Sequence, residues 1–446
     1  MSGDAFDVAV IGGGLAGCAA ALAARKRGAS AALVSERRGA TAMISGALDL
    51  APSAGGRGGG TLEEGMTRLA RANPYHPYAV ASEFGKAGSV TPAAEALRES
   101  AGDFAWAMKS AGAGVTFSPG AVMTIAGSLG TARETRLCLD TMARGDLTTL
   151  GDRRAGFIGI AGFPEFDAEY MAAVFGTGGG GAGRFEAGWA SATLPGMEGM
   201  NNLAPYAVAR KMENAQFLGD FASVVIAAAK GKGFDRLYFP PVLGLLGCDG
   251  VLKTLGEMIG CECCETATAP PSVPGERIVA ALRLALERRQ VSVVEGGVET
   301  FEADGGEVKA VAARDPYGAV REVRASAFVL ASGGFIGGGL RRDDSFRETV
   351  FDLPVFHDSR VVAQEAMSEL VEPSLVRAHP VFSSGVRTDP RLTPLNERGA
   401  PAYENLFCAG SVLAGFDPFR DRCGAGVALT TGFLAGTNAA KAAKTA

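Results

Sequence analysis

The chain has 446 residues, 47% of them hydrophobic and 20% charged, and a formal net charge of −5. That length predicts one long or two medium domains around a large core, and the mildly acidic, mixed-sign composition excludes a nucleic-acid backbone as the main partner. No window reaches the ~20 apolar residues of a membrane span; the best, Phe221 to Ala229, is far too short, and Met1-Ser2-Gly3-Asp4 does not read as a basic leader. A cytoplasmic chain is therefore expected, with its eight cysteines as reduced thiols.

In chain order, Phe6 to Ile11 is an apolar run that predicts a buried strand. Gly12-Gly13-Gly14-Leu15-Ala16-Gly17 follows at once, then a helix of small residues from Cys18 to Gly28 and a second strand, Ala31 to Val34. A GxGxxG turn in this setting marks a dinucleotide-binding βαβ unit. Gly12 permits the tight turn, Gly14 lets the backbone approach a pyrophosphate, and Gly17 lets helix and strand pack. Leu15 and Ala16 open the helix, whose unpaired N–H groups and partial positive charge suit phosphates. The ribose-binding acid belongs at the end of the second strand. That slot falls on Ser35, with Glu36 beside it. Glu36 is either a ribose ligand or a solvated charge in the Glu-Arg-Arg turn.

Thr41 to Gly46 is small and polar, suited to presenting backbone N–H groups of Ser45 and Gly46 to a flavin ring, or else an ordinary loop. Ala54 to Gly60 reads as a flexible linker. Helices are predicted over Glu63 to Ala72 and Ala93 to Ser110, and Tyr75-His76-Pro77-Tyr78 as a turn. From Arg153 the character changes. A strand at Ala155 to Phe163, helices at Asp167 to Phe175, Tyr206 to Leu218, Phe221 to Lys230 and Leu252 to Ile259, and a strand running from Arg236 to Gly244 suggest an inserted cap. Cys261, Cys263 and Cys264 contain a CxxC without the second CxxC of a zinc ribbon. They read as reduced thiols near a strand, and no metal site is assigned.

After the helix from Glu276 to Arg289, Val291 to Phe301 and Val308 to Ala312 predict an antiparallel pair. Ala327 to Phe335 predicts a buried strand ending in small residues, so Ser332 and Gly333, with Val298, are expected under the nucleotide. Asn405 to Ser411 predicts a last strand, with Gly410 at its end. Gly424, Ala425, Gly426 and Val427 begin the final helix, either as donors to the flavin pyrimidine or as a glycine-rich cap. The expected fold is α/β: a Rossmann-like two-part FAD/NAD(P)-binding domain with a parallel sheet (1–151 and 276–446) and a smaller inserted α/β cap (152–275).

Gly12 to Gly17 with a hydroxyl residue closing the second strand, the stretches SGALDL, YHPY, PPSVPGERI and LASGGFIGGGL, and the tail ENLFCAGSVLAGFDPFRDRCGAGVALTTG together resemble the B subunits of anaerobic glycerol-3-phosphate dehydrogenases. The resemblance runs from Phe6 to about Gly436 and is weaker across 110–235. It implies a flavoprotein with the fold of fumarate reductase and succinate dehydrogenase flavin subunits. It also implies work beside a flavoprotein A subunit and an iron–sulfur C subunit that docks the pair at the inner face of the cell membrane. Glycerol 3-phosphate would become dihydroxyacetone phosphate, with electrons passed to quinone and then to fumarate or nitrate. The family is described as binding FMN although its fold is that of FAD binders. Ser35 in place of an acid suits a mononucleotide, whereas GxGxxG suits a pyrophosphate, and the loop chemistry favours FAD.

Alcohol oxidation needs a base and cations for the phosphate. His379 and His357 rank ahead of His76 as bases. Arg387, with Arg420 and Arg422, is the phosphate candidate; each is otherwise structural or solvated. The residues show no independent substrate triad, so the chain reads as an electron relay with substrate oxidised in the A subunit. A stand-alone fumarate-reductase-like oxidoreductase and a scaffold with a vestigial nucleotide site are the alternatives.

Overall fold

A computed structural model describes residues 4–36, 39–53, 59–181, 183–342, 345–362, 367–374 and 376–445. Most of the glycine-rich stretch at 54–60, and Arg37 and Arg38 after Glu36, lie outside the described residues. The main sheet is centred on the first strand, Asp4–Ile11. It pairs in parallel with Ala31–Ser35 on one side (Val10 beside Leu33) and with Val320–Leu330 on the other (Val10 beside Val329). Ser292–Glu295 extends the sheet beyond Ala31–Ser35, and Leu406–Cys408 runs parallel to the end of Val320–Leu330. Val8, Ala9, Val10, Phe328 and Val329 are fully buried, as required of parallel strands covered on both faces.

The long strand Val320–Leu330 changes partner along its length. Its solvent-facing first half pairs with the antiparallel ribbon Gly297–Asp304 and Glu307–Arg314. The single strand expected from Val291 to Phe301 is therefore two. Gly296 breaks it at φ +147, and a Cβ there would press on the Arg314 carbonyl. The segment before Gly296 joins the parallel sheet and the segment after it joins the ribbon.

Helix Leu15–Lys26 covers one face of the sheet and packs on the C-terminal helix Gly424–Ala443. Close approach is built in: Gly432 and Gly436 abut the backbone carbonyls of Ala16 and Ala20, where any Cβ would overlap.

A second sheet lies between residues 155 and 265, in the order Glu262–Glu265, Arg236–Phe239, Ala155–Ile160, Ala187–Ala192, all parallel, around its own aromatic core. The Tyr206 to Leu218 helix is in fact two pieces, Pro205–Met212 and Ala215–Ala229, because the Asn214 side chain accepts the Phe217 N–H and caps a new start. Cys263 and Cys264 are buried in the edge strand Glu262–Glu265, and all eight cysteines are free thiols. At the end of that strand Glu265 meets Arg277, on helix Val273–Arg288, in a bidentate pair (2.6 and 2.9 Å) with both side chains fully buried. The remaining groups are filled too: Arg277 donates twice to the Gly244 carbonyl, and Glu265 accepts the Leu243 N–H. This buried knot holds the strand that leads into Ala267 to Pro270.

Candidate functional site

A cavity of 680 Å³ opens at the carboxyl ends of the parallel strands, the place where α/β sheets of this type take ligands. It runs from Ser35, Glu36, Gly297 and Val298 at the sheet edge, past Gly12 to Ala16, past Ala331 to Gly334, to Ser411, Gly424 and Ala425. Three strand spacings, about 14 Å, separate the line of Ala31–Ser35 from that of Leu406–Cys408. Ala267 to Pro270, following the second sheet, and the Gly127 to Leu129 turn form its other wall.

The three fingerprint glycines occupy different environments. Gly12 has φ +114, and a Cβ there would overlap the Ala331 carbonyl. Gly14 has extended backbone, and the one heavy atom near its absent Cβ is Thr41 Oγ1 at 3.5 Å, so it presents bare backbone to the cavity. Gly17 faces the Gly12 carbonyl and does not line the cavity; its smallness brings helix and strand together. The first helix has no acidic residue in its first turn, so its positive end is left for an anion. Thr41, in the flavin loop expected from sequence, lines the cavity and also accepts the Leu15 N–H at 2.8 Å.

Ser35 and Glu36 both line the cavity, and Glu36 lies over Gly297, whose Cβ would stand 3.1 Å from Oε2. Ser45 lines it as well, with its carbonyl accepting the Thr268 N–H (3.3 Å). Gly46 does not; φ +96 turns the chain against Met142. Ser332 and Gly333 line the middle, and behind them Glu348 is buried and accepts the Val350 and Phe351 N–H groups. Burial lifts its carboxyl to about 7. Gly410 packs on the Ala16 Cβ instead of lining the cavity.

The final helix divides in two. Gly424 and Ala425 line the cavity with no side-chain cap on the helix N-terminus. Gly426 and Val427 do not: Gly426 is wedged against the Tyr78 hydroxyl and Leu50, its N–H donating to the Asp49 carbonyl, and Val427 is fully buried.

The catalytic candidates do not line this cavity. His379 Nδ1 accepts the Glu372 N–H, and its ring meets the edge of Phe382. His357 Nδ1 lies 3.2 Å from Ser383 Oγ. Arg387 is stacked over Tyr75 at 4.5 Å and Phe356 at 5.3 Å. Its place is structural, so Arg387→Ala is expected to cost about 0.5–2 kcal/mol of stability through lost cation–π contact and to leave cofactor content unchanged, measured by thermal unfolding and visible absorbance.

His76 is buried, with burial pushing its pKa down to about 3, and with Asp421 and Cys423 it has ligand atoms spaced as for a metal. The tautomer opposes that use. Nδ1 accepts the Tyr78 N–H, so the neutral ring carries its proton on Nε2, 3.6 Å from Cys423 Sγ. Binding a metal through Nε2 would turn an Nδ1 proton onto the Tyr78 N–H.

The charged groups that do line the cavity, among the described residues, are Glu36, Asp49 and Arg133. Arg133 Nη2 and Asp49 Oδ2 pair at 2.5 Å, and the buried Arg133 Nε–H has no hydrogen-bond partner among the described residues. Burial raises the Asp49 carboxyl above its ordinary range against the pull of Arg133 and Arg422. Sequence reading missed both residues. Asp49 lies inside SGALDL without a role of its own, and Arg133 lies on the second strand of a hairpin, Met123–Gly127 and Thr131–Thr135. The Gly127-Ser128-Leu129-Gly130 turn was its available signal.

The chain matches the FAD binding domain family over residues 7–427. It is 29% identical over 437 residues to the B subunit of the anaerobic glycerol-3-phosphate dehydrogenase of Yersinia pseudotuberculosis, spanning 96% of each chain. It is 32% identical over 303 residues to the B subunit of the probable anaerobic glycerol-3-phosphate dehydrogenase of Halobacterium salinarum, spanning 65% of this chain and 68% of that one. Among solved structures, 3-ketosteroid delta1-dehydrogenase from Sterolibacterium denitrificans aligns over 98% of this chain and 99% of that chain, with 13% identity and a TM-score of 0.44.

Proposed function

We propose, from the premise that this chain belongs to the FAD binding domain family and to the family of anaerobic glycerol-3-phosphate dehydrogenase B subunits, that it is the flavoprotein subunit of a complex oxidising glycerol 3-phosphate to dihydroxyacetone phosphate and delivering the electrons to quinone. The chain is an FAD-binding oxidoreductase of that family. In this reading it works beside a second flavoprotein subunit and an iron–sulfur subunit that holds the complex at the inner face of the membrane. None of the described helices is long and apolar enough to cross a membrane, so the membrane contact is assigned to the partner. The division into two flavin-domain parts, 1–151 and 276–446, with a cap at 152–275, belongs to the same proposal.

The observation that carries it is the single cavity joining the adenosine end at Ser35 and Glu36, the glycine turn, and the N-terminus of the last helix. Its chemistry fits a dinucleotide. A helix N-terminus and a bare Gly14 face the middle, where a pyrophosphate would lie. Ser35 ends the second strand at the ribose-acid slot, and in this reading Glu36 beside it takes the ribose hydroxyls. Gly424 and Ala425 would offer a bound flavin ring their backbone N–H groups and the positive end of a 20-residue helix. Flavin supplies two-electron chemistry; these residues bind it, orient it and wall it from water.

The test is anaerobic purification, release of the chromophore and its mass. FAD is the expected result. FMN would overturn the dinucleotide assignment of the Glu36 end, and protein without any flavin would overturn the proposal.

A further inference from the structure

With the histidines and Arg387 off the cavity, the question is which groups handle substrate. The end of the cavity near the last helix holds one cation and one anion among the described residues, Arg133 and Asp49. Their position is fixed from three sides. The Gly426 N–H ties the Asp49 carbonyl to the last helix. The hairpin carries Arg133 on a strand paired with Met123–Gly127, Arg133 lying beside Ile125. The turn of that hairpin is itself bound to the other wall, the Ser128 N–H donating to the Ala267 carbonyl at 2.8 Å. Both side chains remain partly open, 34% for Arg133 and 20% for Asp49. The guanidinium also holds a buried Nε–H without a partner among the described residues.

We infer that Asp49 and Arg133 are the substrate-side pair of this cavity: Arg133 receives the anionic group of a short polyol phosphate, and Asp49 accepts the proton of the neighbouring hydroxyl. This rests on the flavoprotein reading above and places alcohol oxidation in this chain instead of in a partner. The guanidinium is a planar fork suited to two oxygens of a phosphate, and the adjoining carboxylate reaches a hydroxyl a few bonds away. In the reaction the O–H proton passes to Asp49. The hydrogen on the same carbon would leave with its electron pair, a bound flavin would supply the two-electron acceptor, and the alcohol would become a ketone. The protonated carboxyl then returns its proton to water.

The test uses the full chain loaded with flavin. Calorimetric titration with sn-glycerol 3-phosphate and with dihydroxyacetone phosphate is expected to show binding of both, and none of glycerol. Arg133→Met should weaken the two phosphates about ten- to hundredfold, and Arg133→Lys should restore part of the loss. Asp49→Asn keeps the backbone carbonyl that meets Gly426 and should bind within about threefold of the parent, yet slow anaerobic bleaching of the visible band by glycerol 3-phosphate about 10²–10⁴-fold. Asp49 faces Arg133, Arg422 and the Cys423 thiol. Because burial outweighs the two cations, bleaching by the parent should fall off on the acid side at a pH above the ordinary Asp value of about 3.9, and Asp49→Asn should lose that limb. Visible absorbance separates the two claims. A colourless parent refutes the flavoprotein reading. A yellow parent that binds neither phosphate, or a yellow Arg133→Met protein that binds both as the parent does, overturns this inference.

Discussion

Gly14→Val is expected to purify folded and nearly colourless, with flavin content below about a tenth of the parent's. The residue has ordinary extended backbone, and nothing but Thr41 Oγ1 stands near its Cβ position, so the polypeptide accepts the side chain. The cavity does not: the isopropyl group would occupy the space at the positive end of the first helix, where the closest backbone approach to the cofactor is made. Gly17→Val is the control. There the new Cβ would run into the Gly12 carbonyl, so it should disrupt helix–strand packing and yield little soluble protein. Far-UV circular dichroism and visible absorbance measured together distinguish the two. A yellow Gly14→Val protein would mean that the cofactor does not approach this turn.

Arg277→Met is expected to lower stability by about 3–5 kcal/mol, because it leaves Glu265 buried, charged and without its cation. The two largest sheets have separate cores, and the pair ties the second sheet's edge strand to a helix packed in the first core, so the value belongs to the transition that parts them. It is read as a lower urea midpoint at unchanged slope. Replacing both members by apolar residues of similar volume should recover much of the loss, since the desolvation cost of the two ions disappears with them. A loss under about 1 kcal/mol for Arg277→Met would show that the pair relaxes to solvent. Because Glu265 stands just ahead of Ala267 to Pro270, partial melting here should also loosen one wall of the cavity.

The first strand, the glycine turn and the helix after it are legible because their signal is local. Apolar periodicity and glycine spacing both act within twenty residues. The family is legible for a related reason, since SGALDL and the tail both lie beside the cavity. The substrate-facing end is not. Arg133 sits in Thr-Ala-Arg-Glu-Thr, a polar strand with weak alternation, and its partner Asp49 is 84 residues away in sequence, a pairing that only the tertiary fold creates. The histidines stand off the cavity for the opposite reason. Imidazole is the attractive base at neutral pH, but an aromatic edge, a backbone N–H and a serine hydroxyl fix these rings in the surrounding structure. The break at Gly296 shows the same limit on a smaller scale: one apolar run serves two sheet environments, separated by one backbone angle.

The packing of Gly432 and Gly436 on Ala16 and Ala20 bears on how the protein is made. The helix that opens the nucleotide site, Leu15–Lys26, is synthesised well before the helix packed on it, Gly424–Ala443. At 5–20 residues per second the two are separated by on the order of tens of seconds. Through that interval the second sheet, whose strands all lie between residues 155 and 265, has its own core to fold around, while the alanine-rich face of the first helix waits for its partner. Cofactor loading is therefore expected to follow synthesis of Gly424–Ala443. Nascent chains stalled before residue 424 should carry a folded second sheet and no flavin.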